Sequence, residues 1–451
     1  MVNIRKIISS MILKIFNDLG GHVDLKTAKS ILIEMLFLKL INNELKMKNK
    51  YFCKRIKGLI NFYISIEEIS EFYNELNNFI KLNKCFSELS FEIFKLKEKI
   101  DDKLMIEIIG FINSIDKVME VKPSLIFRIL LDNIFRSNRN EVITSPSINK
   151  LVSCLLKDKN IHEIYDPTIG TGMLALNVAS NHESVRVYGQ DINKEMLNIC
   201  KMLLILDERI EDLSNIAEGN TILNPGHVEN NKLKKFDCIV GNPPFGLKDW
   251  GYNEIANNDI YNRFHRGLPS RSLADYAFIS HVIESLSDEG IAVMVENTGV
   301  LFKEGAEGAI REAIINEDVI DAVIALPNNM MYGTAISVNL IIFNKDKKTD
   351  DVLFIDASKE VQFNKVLTSF TDKNIEDITV IYKNRTVIDG VSNKVNISEI
   401  AENNYNLNVQ RYVEVKVEKE ELDMEQIENN INDLVIKLRE TQSKINEILN
   451  L

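Results

Sequence analysis

The chain has 451 residues, 45% hydrophobic and 27% charged, enough to bury a large core and to divide into roughly two or three domains. Its formal net charge of −12 excludes a surface that is basic throughout, so phosphate contacts must be local or come from a partner. Cys53, Cys85, Cys154, Cys200 and Cys238 form no CxxC pair, which argues against a disulfide framework and a zinc centre, and no apolar run approaches a membrane span, so a cytoplasmic protein is expected.

Residues 1–135 are rich in Leu, Ile, Lys and Glu and almost free of Gly and Pro. Apolar positions such as Ala28, Ile31, Leu32, Met35 and Leu36 recur at helical spacing, so this part is predicted to be an all-helical domain. Over residues 136–412 the glycines and prolines concentrate, and short β-branched runs alternate with helical patterns. The runs are Ile161–Tyr165, Val185–Gly189, Phe236–Val240, Ile291–Val295, Val319–Ala325 and Val338–Phe343, which predicts an α/β domain with a mostly parallel sheet and helices on both faces. In residues 413–451, Met424, Ile427, Ile431, Leu434, Leu438, Thr441, Ile445 and Ile448 step by three and four over about four heptads, the pattern of one long coiled-coil helix for subunit assembly.

Asp166-Pro167-Thr168-Ile169-Gly170-Thr171-Gly172 follows the first predicted strand and opens a helix running to about Ala179. Glycines there let backbone N–H groups approach a ligand, and the helix start favours a negative group such as a carboxylate. Asp191 ends the second strand, where a carboxylate can grip ribose hydroxyls or cap the helix that follows, and Gly219-Asn220 comes next. The GxGxxG spacing of dinucleotide enzymes is absent. The order of these pieces supplies one contact for each portion of S-adenosylmethionine, an adenosine that carries a zwitterionic amino acid.

Asn242-Pro243-Pro244-Phe245 closes the strand Phe236–Val240. Two consecutive prolines fix φ and remove two N–H donors, leaving a rigid turn whose carbonyls point outward. The Asn242 amide oxygen and the Pro243 carbonyl can accept both protons of an exocyclic amino group, while Phe245 offers a flat face to a planar ring. Such a turn suits methylation of an amino nitrogen on a base.

With these motifs in place, the chain resembles the modification (methyltransferase) subunits of type I restriction-modification systems. The resemblance also rests on Gly219-Asn220-Thr221-Ile222-Leu223-Asn224-Pro225, Ala274-Asp275-Tyr276-Ala277-Phe278 with His281, and Gly299-Val300-Leu301-Phe302. It continues through Gly305-Ala306-Glu307-Gly308, Ala325-Leu326-Pro327, and Asn404-Tyr405-Asn406-Leu407-Asn408 with Arg411-Tyr412-Val413. It implies a Rossmann-like S-adenosylmethionine-dependent N6-adenine DNA methyltransferase that acts on a flipped-out base. Asp166, Thr168, Gly170, Thr171 and Gly172 would then serve the methionine end of the cofactor, Asp191 the ribose and Asn220 the adenine, with Thr144, Ser145 and Pro146 beside the amino acid. Asn242, Pro243, Pro244 and Phe245 would be the catalytic turn. Expected partners are DNA, a specificity subunit carrying two copies of this chain, and an ATP-dependent restriction/translocase subunit. The chain departs from the family pattern at Ile169, Met173 and Asn297, where Cys, Gly and Pro are expected.

A glutamine-amide methyltransferase would use a similar turn, usually with Tyr in place of Phe245, and a silent scaffold subunit would keep the helices without the site. A dinucleotide oxidoreductase would leave Asn242–Phe245 without a purpose. The sequence holds no GxxxxGK[ST] phosphate loop, and none of its eight prolines is followed by Asp to begin a PD…ExK nuclease site. Nearly all residues are already divided among the helical domain, the sheet domain and the tail, which leaves no room for a large domain that reads bases in the major groove, so choice of the DNA target is expected from another polypeptide. Asp275 and His281 fall in the predicted helix Leu273–Leu286 and are expected to be structural.

Overall fold

The Leu/Ile-rich N-terminal third folds as helices α1 Val2–Leu19, α2 Leu25–Lys46, α3 Lys50–Arg55, α4 Ile69–Leu82, α5 Asp102–Asn113 and α6 Pro123–Arg136. The structure is a computed structural model and describes residues 2–19, 22–94, 100–118, 121–136, 143–331, 336–358, 362–363, 368–413 and 424–449. It comprises two compact units, Met1–Val413 and Glu414–Leu451. Helix α2 starts at Asp24, whose side chain accepts from the Thr27 N–H, and it is buried on every side from Ile31 to Leu45. A helix apolar all round belongs in the middle of a bundle.

Two charges ride inside α2. The Glu34 carboxylate accepts from the N–H groups of Glu92 and Ile93 at 2.8 and 2.9 Å. Lys39, fully buried, donates to Asp116 Oδ2 at 2.9 Å, and Asn43 and Tyr63 donate to the same carboxylate. Burial lowers the Lys39 pKa, with Asp116 opposing it.

After α7 Pro146–Leu156 come the nine strands of the main sheet: β1 Glu163–Asp166, β2 Arg186–Asp191, β3 Ile216–Glu218, β4 Phe236–Gly241, β5 Leu286–Asn297, β6 Ile320–Ala325, β7 Val338–Asn344, β8 Asp351–Asp356 and β9 Ser392–Asn396. Their order is β9-β8-β6-β7-β5-β4-β1-β2-β3. The pairs β1–β2, β2–β3, β1–β4, β4–β5 and β6–β8 are parallel. The pairs β5–β7, β6–β7 and β8–β9 are antiparallel, so the sheet is mostly parallel, as expected, with antiparallel pairs confined to the half that holds β7 and β9. Strand β7 inserts between β5 and β6, a non-local pairing that no run of residues announces.

Side-chain alternation sorts the strands onto two cores. Ile164, Val187, Cys238, Val240, Val293 and Ile342 share a cluster with the N-terminal helices, with α8 Met173–Ala179 and with α9 Lys194–Leu206. Tyr165, Ile239, Met294, Ile341 and Phe354 face the other way, under α10 Tyr252–Asn257, α11 Asp275–Ser285 and α12 Ala306–Asn316. The helical N-terminus therefore shares one continuous core with the sheet. Strand β1 lies between β2 and β4, so the chain runs outward in opposite directions from it, and the crevice at such a reversal is where open α/β sheets hold ligands.

Four further helices follow: α13 Asp372–Asn384, α14 Ile397–Glu402, α15 Gln410–Val413 and, in the second unit, α16 Met424–Leu449. Ile431, Leu434, Leu438 and Ile445 of the predicted heptad stripe are exposed by 49–66%, and Met424, Ile427 and Ile448 have side chains outside the described set. Among the described residues no helix is long and apolar enough to cross a membrane.

Replacing Asp116 by Ala strands the Lys39 ammonium in an apolar bundle, and the expected cost is about 3–5 kcal/mol, read as a lower urea midpoint. Adding Lys39→Met to that variant should restore most of the loss; an Asp116→Ala protein as stable as the wild type would contradict this account.

Candidate functional site

Turns leaving the C-terminal ends of β1, β3 and β4 meet the end of β2 around one cavity of about 660 Å³. The first turn is Asp166–Gly172. Gly170 and Gly172 adopt φ of +51° and +78°, and a Cβ on Gly172 would stand 2.6 Å from Cys200 Sγ, so glycine is required there on both counts. Asp166 Oδ1 accepts from the Thr168 N–H at 2.9 Å.

Asp191 braces this turn from β2. Its Oδ2 accepts from the Gly170 N–H and its Oδ1 from the Asn193 N–H, both at 2.8 Å. The helix cap considered for Asp191 belongs instead to Asn193, which accepts from Glu195 and Met196 at the start of α9. Asn220 turns the chain after β3 by accepting from the N–H groups of Ile222 and Leu223 at 2.9 and 3.1 Å, which leaves its Nδ2 as the donor at the cavity. Thr221 then ties the two turns together, its hydroxyl donating to the Pro167 carbonyl at 2.6 Å.

The fourth contributor is Asn242–Phe245. Asn242 Nδ2 donates to Thr144 Oγ1 at 3.0 Å, and Asn242 Oδ1 is buried with no hydrogen-bond partner among the described residues. No hydrogen bond among these residues ends on the Pro243 carbonyl either. Behind the turn, Asp275 Oδ1 accepts from the Gly246 N–H at 3.0 Å and from Asn297 Nδ2 at 2.9 Å. Thr144 is held in reach by the start of α7, where Ser145 caps Ile148 and Pro146 occupies the first turn.

Of the residues expected from the sequence, Thr144, Asp166, Thr168, Gly170, Thr171, Asp191, Asn220, Asn242, Pro243, Pro244 and Phe245 line the cavity. Ser145, Pro146 and Gly172 shape the turns from behind it. Leu247, Asp249, Trp250 and Phe278 also line it and were not singled out. Trp250 offered a signal, being the chain's only tryptophan; it is 1% exposed and its indole N–H donates to the Ser270 carbonyl at 3.0 Å. The departures Ile169 and Met173 give the cavity apolar wall, and Ile169 packs where a side chain on Gly189 would stand, with Cδ1 2.2 Å from that Cβ position.

The cavity is acidic at one end. Burial, with the Asp191 charge adding, pushes the Asp166 carboxyl up to about 8, and burial also raises Asp191. Neither has an ion-pair partner among the described residues. A cationic group on a ligand would relieve both, and the apolar walls, the Asn220 donor and the orphaned Asn242 oxygen complete a set that fits a zwitterionic nucleoside such as S-adenosylmethionine.

Residues 128–421 match the family of N-6 DNA methylases. The MpnII type I restriction enzyme methylase subunit of Mycoplasma pneumoniae is 30% identical over 381 residues, which cover 81% of this chain and 70% of that protein. The MjaVIII methylase subunit of Methanocaldococcus jannaschii is 29% identical over 66% of this chain and 54% of its own length. In fold, the type I restriction-modification methyltransferase subunit of Streptococcus thermophilus superposes with a TM-score of 0.74 at 24% identity, over 91% of this chain and 100% of that one. The chain belongs to the N-6 DNA methylase family, as a homologue of type I restriction enzyme methylase subunits.

Proposed function

We propose that the chain transfers a methyl group from S-adenosylmethionine to N6 of an adenine flipped out of DNA, as the modification subunit of a type I restriction-modification system. The observation that carries this is Asn242 Oδ1, a buried acceptor without a partner, held at a cavity wall by an amide whose nitrogen is already bonded to Thr144. Leaving such an atom unpaired costs about 1–3 kcal/mol, so the site is built for a donor that arrives from outside.

Bound S-adenosylmethionine supplies an electrophilic sulfonium methyl. Asp166 would hold the α-ammonium, the Gly170 turn the methionine end, Asp191 the ribose and Asn220 Nδ2 the adenine ring. On the target side, adenine N6 is a poor nucleophile because its lone pair is delocalised into the ring. Asn242 Oδ1 and the Pro243 carbonyl would accept hydrogen bonds from its two N–H groups, which favours a tetrahedral nitrogen and localises the lone pair, and the one proton that the methylated nitrogen sheds passes to water. Phe245 replaces the stacking that the base loses on leaving the duplex, worth about 1–3 kcal/mol. The catalysis is alignment plus preorganised acceptors, with no strongly basic side chain required.

Choice of the target base is assigned to a specificity subunit in the cytoplasm, one copy joining two copies of this chain, with an ATP-dependent restriction subunit as a further partner. The exposed apolar stripe on α16 supports assembly through helices.

Asn242→Ala should lower methyl transfer by about 100-fold or more while cofactor retention stays near wild type, measured by tritiated-methyl transfer beside filter binding; full activity would remove the assignment. Asp166→Asn should weaken cofactor binding yet stabilise the free protein at alkaline pH. A carboxyl whose folded-state pKa is raised costs nothing below its unfolded pKa near 4, and its stability is lost progressively as pH rises through about 8. The variant should therefore melt above the wild type at pH 9 by more than it does at pH 5; a difference independent of pH would refute the neutral carboxyl. Deleting residues 421–451 should abolish co-purification with the specificity subunit and preserve cofactor binding, and a truncated chain that still co-purifies would place the contact elsewhere.

A further inference from the structure

The stretch between α10 and α11 has no part in the methyl-transfer chemistry, yet it carries the most buried arginine of the described residues, Arg263, at 1% exposure. Its Nε donates to Asp259 Oδ1 at 3.1 Å, and its Nη1 lies 3.5 Å from both the Thr221 carbonyl and His281 Nδ1. Arginine cannot accept, so His281 Nδ1 is the acceptor and its ring proton sits on Nε2, 3.2 Å from the Tyr165 hydroxyl. Burial and the Arg263 charge hold this imidazole uncharged, consistent with that tautomer. A buried guanidinium is costly to desolvate, so its partners must be worth the expense.

What this line touches is specific. Thr221 follows Asn220 and bonds the Pro167 carbonyl, and Tyr165 precedes Asp166 on β1, so both cofactor-side turns are gripped. His281 lies on α11, whose first residue, Asp275, accepts from the Gly246 N–H just beyond Phe245. One rigid helix thus carries the target-side turn at its start and the grip on the cofactor side further along.

We propose that Arg263 and His281 are positioning residues for methyl transfer, and that the Arg263–His281–Tyr165 line sets the separation between the cofactor-side turns and the target-side turn. This rests on the methyltransferase reading above. The line bonds to Thr221 and Tyr165, beside the residues proposed to hold the cofactor, while α11, which carries His281, holds the turn proposed to bind N6 through Asp275. Slackening it changes the spacing of donor and acceptor atoms more than it changes either set of contacts. An error of about 1 Å in such an alignment costs on the order of 100-fold in rate.

The test uses the full chain reconstituted with its specificity subunit, with whole-genome-amplified DNA, whose adenines carry no N6-methyl groups, as substrate. For His281→Leu, kcat should fall by about 100-fold while the cofactor Kd stays within about threefold of wild type. His281→Gln keeps one acceptor for Arg263 and one donor for Tyr165, and it should recover most of the rate. If the Leu variant does not fold, Arg263→Lys is read in its place, since lysine keeps the charge but cannot span Asp259, Thr221 and His281 together. An unchanged kcat in the Leu variant overturns the proposal, as do equal losses of kcat and cofactor affinity in the Leu and Gln variants, which would mark a merely structural role. A wild-type complex that transfers no methyl group to this DNA overturns the methyltransferase reading itself, an outcome distinct from an active wild type with an unaffected variant.

Discussion

The bond from Asn242 Nδ2 to Thr144 Oγ1 holds the amide with its oxygen towards the cavity, and much of the surrounding architecture serves that orientation. Asn242 stands where β4 has just ended, so its neighbours no longer have a ladder to bond with, and the two prolines that follow have no N–H to offer. The result is a short segment rich in acceptors and poor in donors. Thr144 reaches it because Ser145 and Pro146 begin α7 immediately behind, and Asp275 closes the far end at Gly246. A turn free to rotate would satisfy its own oxygen with the nearest donor; this one is braced at both ends.

The cofactor-side turns follow the opposite electrostatic logic. Asp166 and Asp191 are carboxyls raised by burial, with no described cation to neutralise either. In a protein selected only for stability, such a pair would be replaced by neutral side chains. Asp191 repays part of its burial by accepting two backbone N–H groups and so braces the turn at Gly170. Asp166 has one such bond and is the less satisfied of the two, which is the reason the proposed function sets the positive end of a zwitterion beside it.

What could be read from the sequence was local. The glycine turn, the strand-ending Asp191 and the Asn-Pro-Pro-Phe turn each follow from residue chemistry within a few positions, and the six β-branched runs became strands. Helix α2 was legible by its spacing, although Lys39 inside it gave no sign that it would find Asp116. Strand β3 has only three residues and β9, Ser-Asn-Lys-Val-Asn, is a polar edge strand with two inward-facing positions, so neither carries a readable pattern, whereas β8, Asp-Val-Leu-Phe-Ile-Asp, is an apolar run that its residues do announce. Contacts between distant segments could not be read at all. Thr144 meets Asn242 across 98 positions and Tyr165 meets His281 across 116, and no periodicity reports a contact that only the completed sheet creates. His281, expected to be structural, is buried, and its two ring nitrogens meet Arg263 and Tyr165.

On the proposed function, the cavity itself does not read a DNA sequence. Its proposed contacts to the base are an acceptor pair for N6 and a stacking face, and these are the same for every adenine once it has left the helix. Discrimination between sites costs about 1–3 kcal/mol per base pair and has to be collected from base edges in the grooves, before or during flipping. A chain with a net charge of −12 gains little from the phosphate backbone as a whole, so it is poorly equipped to hold duplex DNA long enough to search. A partner that supplied both base contacts and positive surface would resolve the two shortages together, and the exposed stripe Ile431, Leu434, Leu438 and Ile445 on α16 would offer it a helix to dock against.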